Sequence, residues 1–127
     1  MSMQRGFGIA AAALGASAVA LGAFGAHALQ GRLDEAALRV WHTAVEYQFW
    51  HALALLGVCA LAPARESWVW RAAGIAFVAG TLIFSGSLYA LALGAPRWFG
   101  MITPFGGLAL IGGWVLLGFA WRSGARR

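Results

Sequence analysis

Four stretches of this chain are each apolar for about the length a helix needs to cross a bilayer, and they decide the class of fold. A helix rises about 1.5 Å per residue, so roughly 20 residues span the ~30 Å hydrocarbon layer. The stretches run over about 6–26, 44–62, 68–93 and 103–121. Their breaks have local causes. Pro63 and Pro96 cannot continue a helix, and Gly94 lies just before the second of them. Thr103-Pro104 reads as an N-cap followed by proline at the first helical position. Composition agrees: 61% of the 127 residues are hydrophobic and only 10% are charged, where a soluble domain carries about 25%. A chain this short has too little interior to hide that much apolar surface from water. The expected fold is therefore an all-α, integral membrane four-helix bundle forming one transmembrane domain over 1–127.

The segment 30–43 between the first two stretches is polar but helix-prone. Leu33, Ala36, Ala37, Val40, Trp41 and Ala44 recur at helical spacing. Asp34 can cap a helix start, and Leu33 with Leu38 has the spacing of a hydrophobic staple. The segment reads as a short interfacial helix, or an extension of the second span, lying at the membrane surface.

All nine basic residues are arginine, giving a net charge of +5. They are scattered mostly singly between apolar blocks, which argues for a topology signal and against nucleic-acid binding. With the N-terminus inside, Arg5, Arg65, Arg71, Arg122, Arg126 and Arg127 face the cytoplasm and only Arg32, Arg39 and Arg97 face outward. The positive-inside rule then favours both termini in the cytoplasm. Trp68, Trp70, Trp98 and Trp121 fall near block ends, as an aromatic belt would place them. The run Ala26-His27-Ala28 resembles a signal-peptidase site. The apolar run before it is longer than the usual 7–15 residues of a signal core, so the first span is expected to be retained.

Small residues recur at helical spacing and suggest close helix packing, since packing replaces the hydrophobic drive in lipid. Gly8, Ala12, Ala16 and Ala20 form one ridge, and Ala18, Gly22 and Ala26 another. In the third block Ala72, Ala76 and Gly80 repeat at four, as do Gly86, Ala90 and Gly94. The same ridges could serve a homo-oligomer or a larger membrane complex.

A polar group in hydrocarbon is costly and therefore informative. His27, His42, Glu46, Tyr47, Gln48, His51, Ser85, Ser87, Tyr89 and Thr103 all fall in the outer half of the expected topology, whereas 53–61 and 72–78 are almost wholly apolar. A continuous ion path is thus not expected in one chain. An outward pocket is, lined by His27, Glu46, Tyr47, Gln48, His51, Ser85, Ser87, Tyr89 and Thr103. Such a pocket would take a small molecule, a lipid headgroup or a partner helix. The N-terminus of the fourth helix, with Gly106 and Gly107 close behind, would turn free N–H groups toward it. The sharper roles each face a plainer alternative. Glu46 is expected in an ion pair with His42, Arg39 or Arg97, and His51 in a hydrogen bond to Ser85 or Ser87.

No cofactor is expected. His27, His51 and Glu46 could approach one another from two helices, but no HxH, HExxH or CxxC spacing supports a metal. Cys59 is the only cysteine. Ser85-Gly86-Ser87 lacks the strand-turn-helix setting of a nucleophilic serine, and no catalytic residue is assigned.

The run GAFGAHAL at 22–29, Tyr47-Gln48, HALALL from His51, FSGSLY at 84–89, ITPFGG at 102–107 and Gly113-Trp114 stand in this order along the chain. Together they resemble the YgdD-like family of small bacterial inner-membrane proteins. The resemblance implies four spans with an uncleaved first helix and carries no activity, substrate or cofactor. It implies that Gly22, Phe24, Gly25, His27, Tyr47, Gln48, His51, Ser85, Gly86, Ser87, Tyr89, Thr103, Pro104, Gly106 and Gly107 are family motif positions.

Overall fold

The structure is a computed structural model describing residues 2–62 and 67–124. Pro63, expected to end the second span, and Arg65, Arg126 and Arg127, used in the orientation argument, lie outside the described residues. Four helices account for nearly all the rest: α1 (Met3–His27), α2 (Glu35–Leu61), α3 (Trp68–Ala92) and α4 (Phe99–Gly124). All four are long and apolar enough to cross a membrane.

Local chemistry sets their ends. Ser2 caps α1 by accepting from the Arg5 N–H, and Asp34 caps α2 by accepting from the Ala37 N–H at 2.8 Å. Leu33 and Leu38 both join the apolar cluster around Leu29, Trp41 and Ala92. At the end of α3, the Ala95 N–H bonds the Ala90 carbonyl and the Gly94 N–H bonds that of Leu91. This paired closure needs a left-handed residue, supplied by Gly94 at φ +93°. Gly94 thus ends a helix and does not pack one: it is exposed, with nothing near its missing Cβ.

Two expected boundaries move. The segment 30–43 holds no separate interfacial helix; from Glu35 onward it is an extension of the second span, the other reading of this segment. The 27 residues of α2 extend about 40 Å, some 10 Å more than the hydrocarbon layer. Likewise α4 begins at Phe99, four residues before Thr103, and Pro104 stands inside it. Its first turn is closed by Phe99, Gly100 and Met101 N–H groups bonding the carbonyls of Pro96, Arg97 and Trp98. Thr103 is therefore not the N-cap, and Gly106 and Gly107 lie two turns into the helix, where their N–H groups are no longer free.

The helices pack in chain order. α1 lies on α2, α2 on α3, and α3 on α4, with α1 meeting α3 only marginally and α4 having no comparable backbone packing on α1 or α2. The four-helix bundle is thus held mainly between helices adjacent in the chain. Successive helices are antiparallel. At one end the Gln4 amide donates to the Ala62 carbonyl and Trp70 meets Trp121; at the other Trp41 meets Phe24 and Tyr89. Trp70 is buried in the core there, while Trp68, Trp98 and Trp121 are exposed.

Glycines decide where helices come close, and of the regular-ridge glycines Gly22 and Gly80 take part while Gly8, Gly86 and Gly94 do not. Ala12, Ala16, Ala20 and Gly86 are exposed, and nothing lies within 4 Å of a Cβ built on Gly8 or Gly86. The α1 ridge through Ala12, Ala16 and Ala20 faces outward. Gly22 does make an interior contact, to Val45 of α2. The closest approach is at Gly106, where an added Cβ would strike the backbone nitrogen of Phe84. Gly113 admits the Phe77 ring, Gly80 the Leu110 side chain, Gly74 the Phe7 ring and Gly25 the Trp41 indole.

Candidate functional site

The polar residues sort into three groups. The first ties α1, α2 and α3 together through Gln48, which is 5% exposed. Its amide donates to the Leu14 carbonyl at 2.9 Å and to Ser17 Oγ at 2.7 Å, while its carbonyl oxygen accepts from the Tyr89 hydroxyl at 2.7 Å. Ser17 passes the chain on to the Ala13 carbonyl at 2.7 Å. Ser85 donates to the Ala44 carbonyl at 2.7 Å, and the Trp41 indole to the Leu21 carbonyl at 2.9 Å.

The second group joins α3 to α4. The Ser87 and Thr103 hydroxyls lie 2.6 Å apart, and Ser87 also reaches the Phe84 carbonyl at 2.9 Å. In both groups the polar atoms satisfy one another, so these side chains fasten helices and do not line a common cavity. Ser17 was not singled out by the sequence reading; its position in a Gly/Ala-rich helix facing a glutamine is legible only once the two helices are paired. Thr81 was also missed. It is 2% exposed, and its hydroxyl has no partner among the described residues.

The third group bridges α2 and α4. His51 Nδ1 stands 2.7 Å from the Tyr47 carbonyl, and the Trp114 indole N–H lies 3.1 Å from His51 Nε2. A carbonyl only accepts and an indole N–H only donates, so the ring is the neutral tautomer with its proton on Nδ1. Both nitrogens are thereby occupied, and neither bonds Ser85 or Ser87 as expected. Gly113 lets α4 settle against Phe77 while the next residue, Trp114, reaches across to α2. Gly113-Trp114 and His51 were each read as motif residues, but not as partners of one another.

Beside this bridge lies a cleft of about 550 Å³ between α2 and α4, walled by Tyr47, Trp50, His51, Phe84, Gly107, Leu110, Ile111 and Trp114. Tyr47 stacks near Phe84 with ring centroids 4.6 Å apart, and its hydroxyl has no partner among the described residues. Of the expected pocket residues only Tyr47 and His51 line this cleft.

The remaining two stand elsewhere. Glu46 is exposed in a shallow groove of about 330 Å³ between α1 and α2, with Gly22, Ala23, Val45 and Phe49. Neither His42, Arg39 nor Arg97 pairs with it; Arg39 lies 3.7 Å from Glu35, one turn back along α2. His27 is exposed at the last turn of α1 and makes no polar contact among the described residues. Among those residues no three His, Cys, Asp or Glu side chains converge on a point that could hold a metal.

Comparison with known proteins bears on the same residues. Residues 21–107 match the model of a family described as protein of unknown function DUF423. The chain belongs to this family. The DUF423 match takes in Gln48, His51, Ser85, Ser87 and Thr103 and stops short of Trp114. The chain is 45% identical over 102 residues to the UPF0382 membrane protein YwdK of Bacillus subtilis, covering 79% of this chain and 82% of YwdK. It is 44% identical over 100 residues to the UPF0382 inner membrane protein YgdD of Escherichia coli K12, covering 78% and 76% of the two chains. A Staphylococcus haemolyticus UPF0382 membrane protein is 44% identical over 99 residues, with 78% and 80% covered. No solved structure matches. The chain is thus a membrane protein of the DUF423 family with four transmembrane-type helices.

Proposed function

We propose that this protein is a non-enzymatic binding protein of the bacterial inner membrane that admits a membrane-dissolved ligand sideways into the cleft between α2 and α4. The observation that carries this reading is the aromatic cleft beside the His51–Trp114 bridge. Its volume falls within the ~300–1,000 Å³ typical of ligand sites. Tyr47, Trp50, Phe84 and Trp114 favour a flat or chain-like apolar body, and the unused Tyr47 hydroxyl offers one donor to a carbonyl or ether oxygen. The polar pocket expected from sequence gives way to a lateral one, because Gln48, Ser85, Ser87 and Thr103 are spent on helix–helix bonds. In this reading both termini are cytoplasmic, and the first turns of α2 stand in the outer interface.

Photocrosslinking tests the cleft. A benzophenone amino acid at Ile111, on the cleft wall, is compared with one at Leu108, which is exposed on α4 outside it. Illumination in native membranes should yield one dominant small-molecule adduct at 111 and only mixed phospholipid at 108. The same mixed phospholipid at both positions would sink the reading.

A second reading has its own observation. Glu46 and His42 lie one turn apart on the exposed side of α2 with no partner among the described residues, Glu46 beside the groove that Ala18, Val19, Gly22 and Ala23 of α1 line. A second copy or a larger complex covering this face would pair His42 with Glu46 across a two-fold axis. Crosslinks through this face in native membranes, lost in Glu46→Gln, support assembly.

A further inference from the structure

A second groove lies on the opposite face of the chain, between α1 and α3, and its chemistry is different. It holds about 590 Å³ and is walled by residues including Phe7, Ala10, Arg71, Ile75, Val78 and Ala79. Arg71 is exposed, and its guanidinium has no hydrogen-bond or ion-pair partner among the described residues. Apart from Ser2, the remaining lining residues are apolar. The geometry points to a binding site for one anionic phospholipid, headgroup on Arg71 and one acyl chain along the groove.

Depth supports this occupant. Arg71 is the fourth residue of α3, one turn from the helix start, so its side chain reaches the level of lipid phosphates. From Arg71 the groove continues along α3 to Leu82. Eleven residues of helix cover about 16 Å, close to half of the ~30 Å hydrocarbon layer. The groove is thus as long as one leaflet is deep, with its only charge at the headgroup end. The field there is positive for two further reasons. The N-termini of α1 and α3 lie at this same end and bring the positive ends of their dipoles. Arg5 belongs to it as well. A phosphate satisfies an unpaired guanidinium in charge-assisted bonds, which a zwitterionic headgroup does less well, since its own ammonium is repelled.

Native mass spectrometry of the full chain released from micelles holding equal phosphatidylglycerol and phosphatidylcholine tests the site. One phosphatidylglycerol should be retained in at least tenfold preference. Arg71→Gln should lower its retention about tenfold, and Ala79→Trp, which fills the groove without touching charge, should lower it as much. Arg122→Gln removes a charge from the same end but outside the groove, and should leave retention unchanged. Equal retention of the two lipids, or an equal loss in Arg122→Gln, would overturn the assignment. So would retention in Ala79→Trp at the original level, or full competition by millimolar inorganic phosphate. Helical content and melting temperature of each variant identify any that fails to fold, and the two groove variants fail independently of each other.

Discussion

Gln48 uses both amide protons and its carbonyl oxygen at once, and each goes to a different place: a backbone carbonyl, Ser17 and Tyr89. In lipid such bonds average about 0.6 kcal/mol and reach about 1.7, because the unassembled helix also finds partners. Gln48→Leu removes all three and strands the Tyr89 hydroxyl. It should lower stability by about 1–2 kcal/mol in mixed-micelle unfolding, whereas Ser87→Ala, which costs one hydroxyl pair, should lower it by about 0.6 kcal/mol. That Gln48, His51, Ser85 and Ser87 stand out was legible in the sequence, since polar atoms in apolar blocks are rare. What they bond was not. Leu14, Ala44 and Tyr47 contribute backbone carbonyls, and every residue has one, so composition marks none of them.

At the scale of elements, the four spans could be read from apolar length alone, with α3 expected over 68–93 and found at Trp68–Ala92. The small-residue ridges could not. A spacing of four says which residues share a face, but not which face turns inward, and the α1 ridge through Ala12, Ala16 and Ala20 turns out. The start of α4 was misplaced for a related reason: Pro104 resembles a first-turn proline, and the turn from Pro96 that begins the helix earlier carries no such mark. Gly106 and Gly107 separate the two uses of a small residue. A methyl at 106 meets the backbone of Phe84, whereas at 107 it meets the Phe84 ring at 3.7 Å, an ordinary contact. Gly106→Ala should therefore cost about 1–3 kcal/mol by forcing α3 and α4 apart. Gly107→Ala should unfold like the parent chain and only narrow the cleft, with reduced adduct at Ile111 as the readout.

For the whole molecule, the charge distribution supports the proposed orientation with both termini cytoplasmic. Arg5, Arg71 and Arg122 lie at the end that carries Ser2 and Trp121, and Arg32, Arg39 and Arg97 at the other, where Asp34 and Glu35 offset them. Because Cys59 is the only cysteine, Cys59→Ala gives a clean background for labelling. In that background Arg32→Cys should react with a membrane-impermeant maleimide in cells whose outer membrane is opened, and Ser123→Cys only after lysis. The reverse pattern would invert the topology and put the Arg71 groove in the outer leaflet.

Packing in chain order also has a meaning in time. Each helix finds its main neighbour in the one synthesised just before it, so no surface has to wait for a distant segment. Once α2 leaves the translocon, the Trp41 indole can reach Leu21, and Gln48 can reach Leu14 and Ser17, with only α1 present. A chain stalled after Leu61 already holds a joined helical hairpin. The last helix to emerge, α4, brings Trp114, which reaches back past α3 to His51. The cleft between α2 and α4 therefore exists only once the final helix is in place.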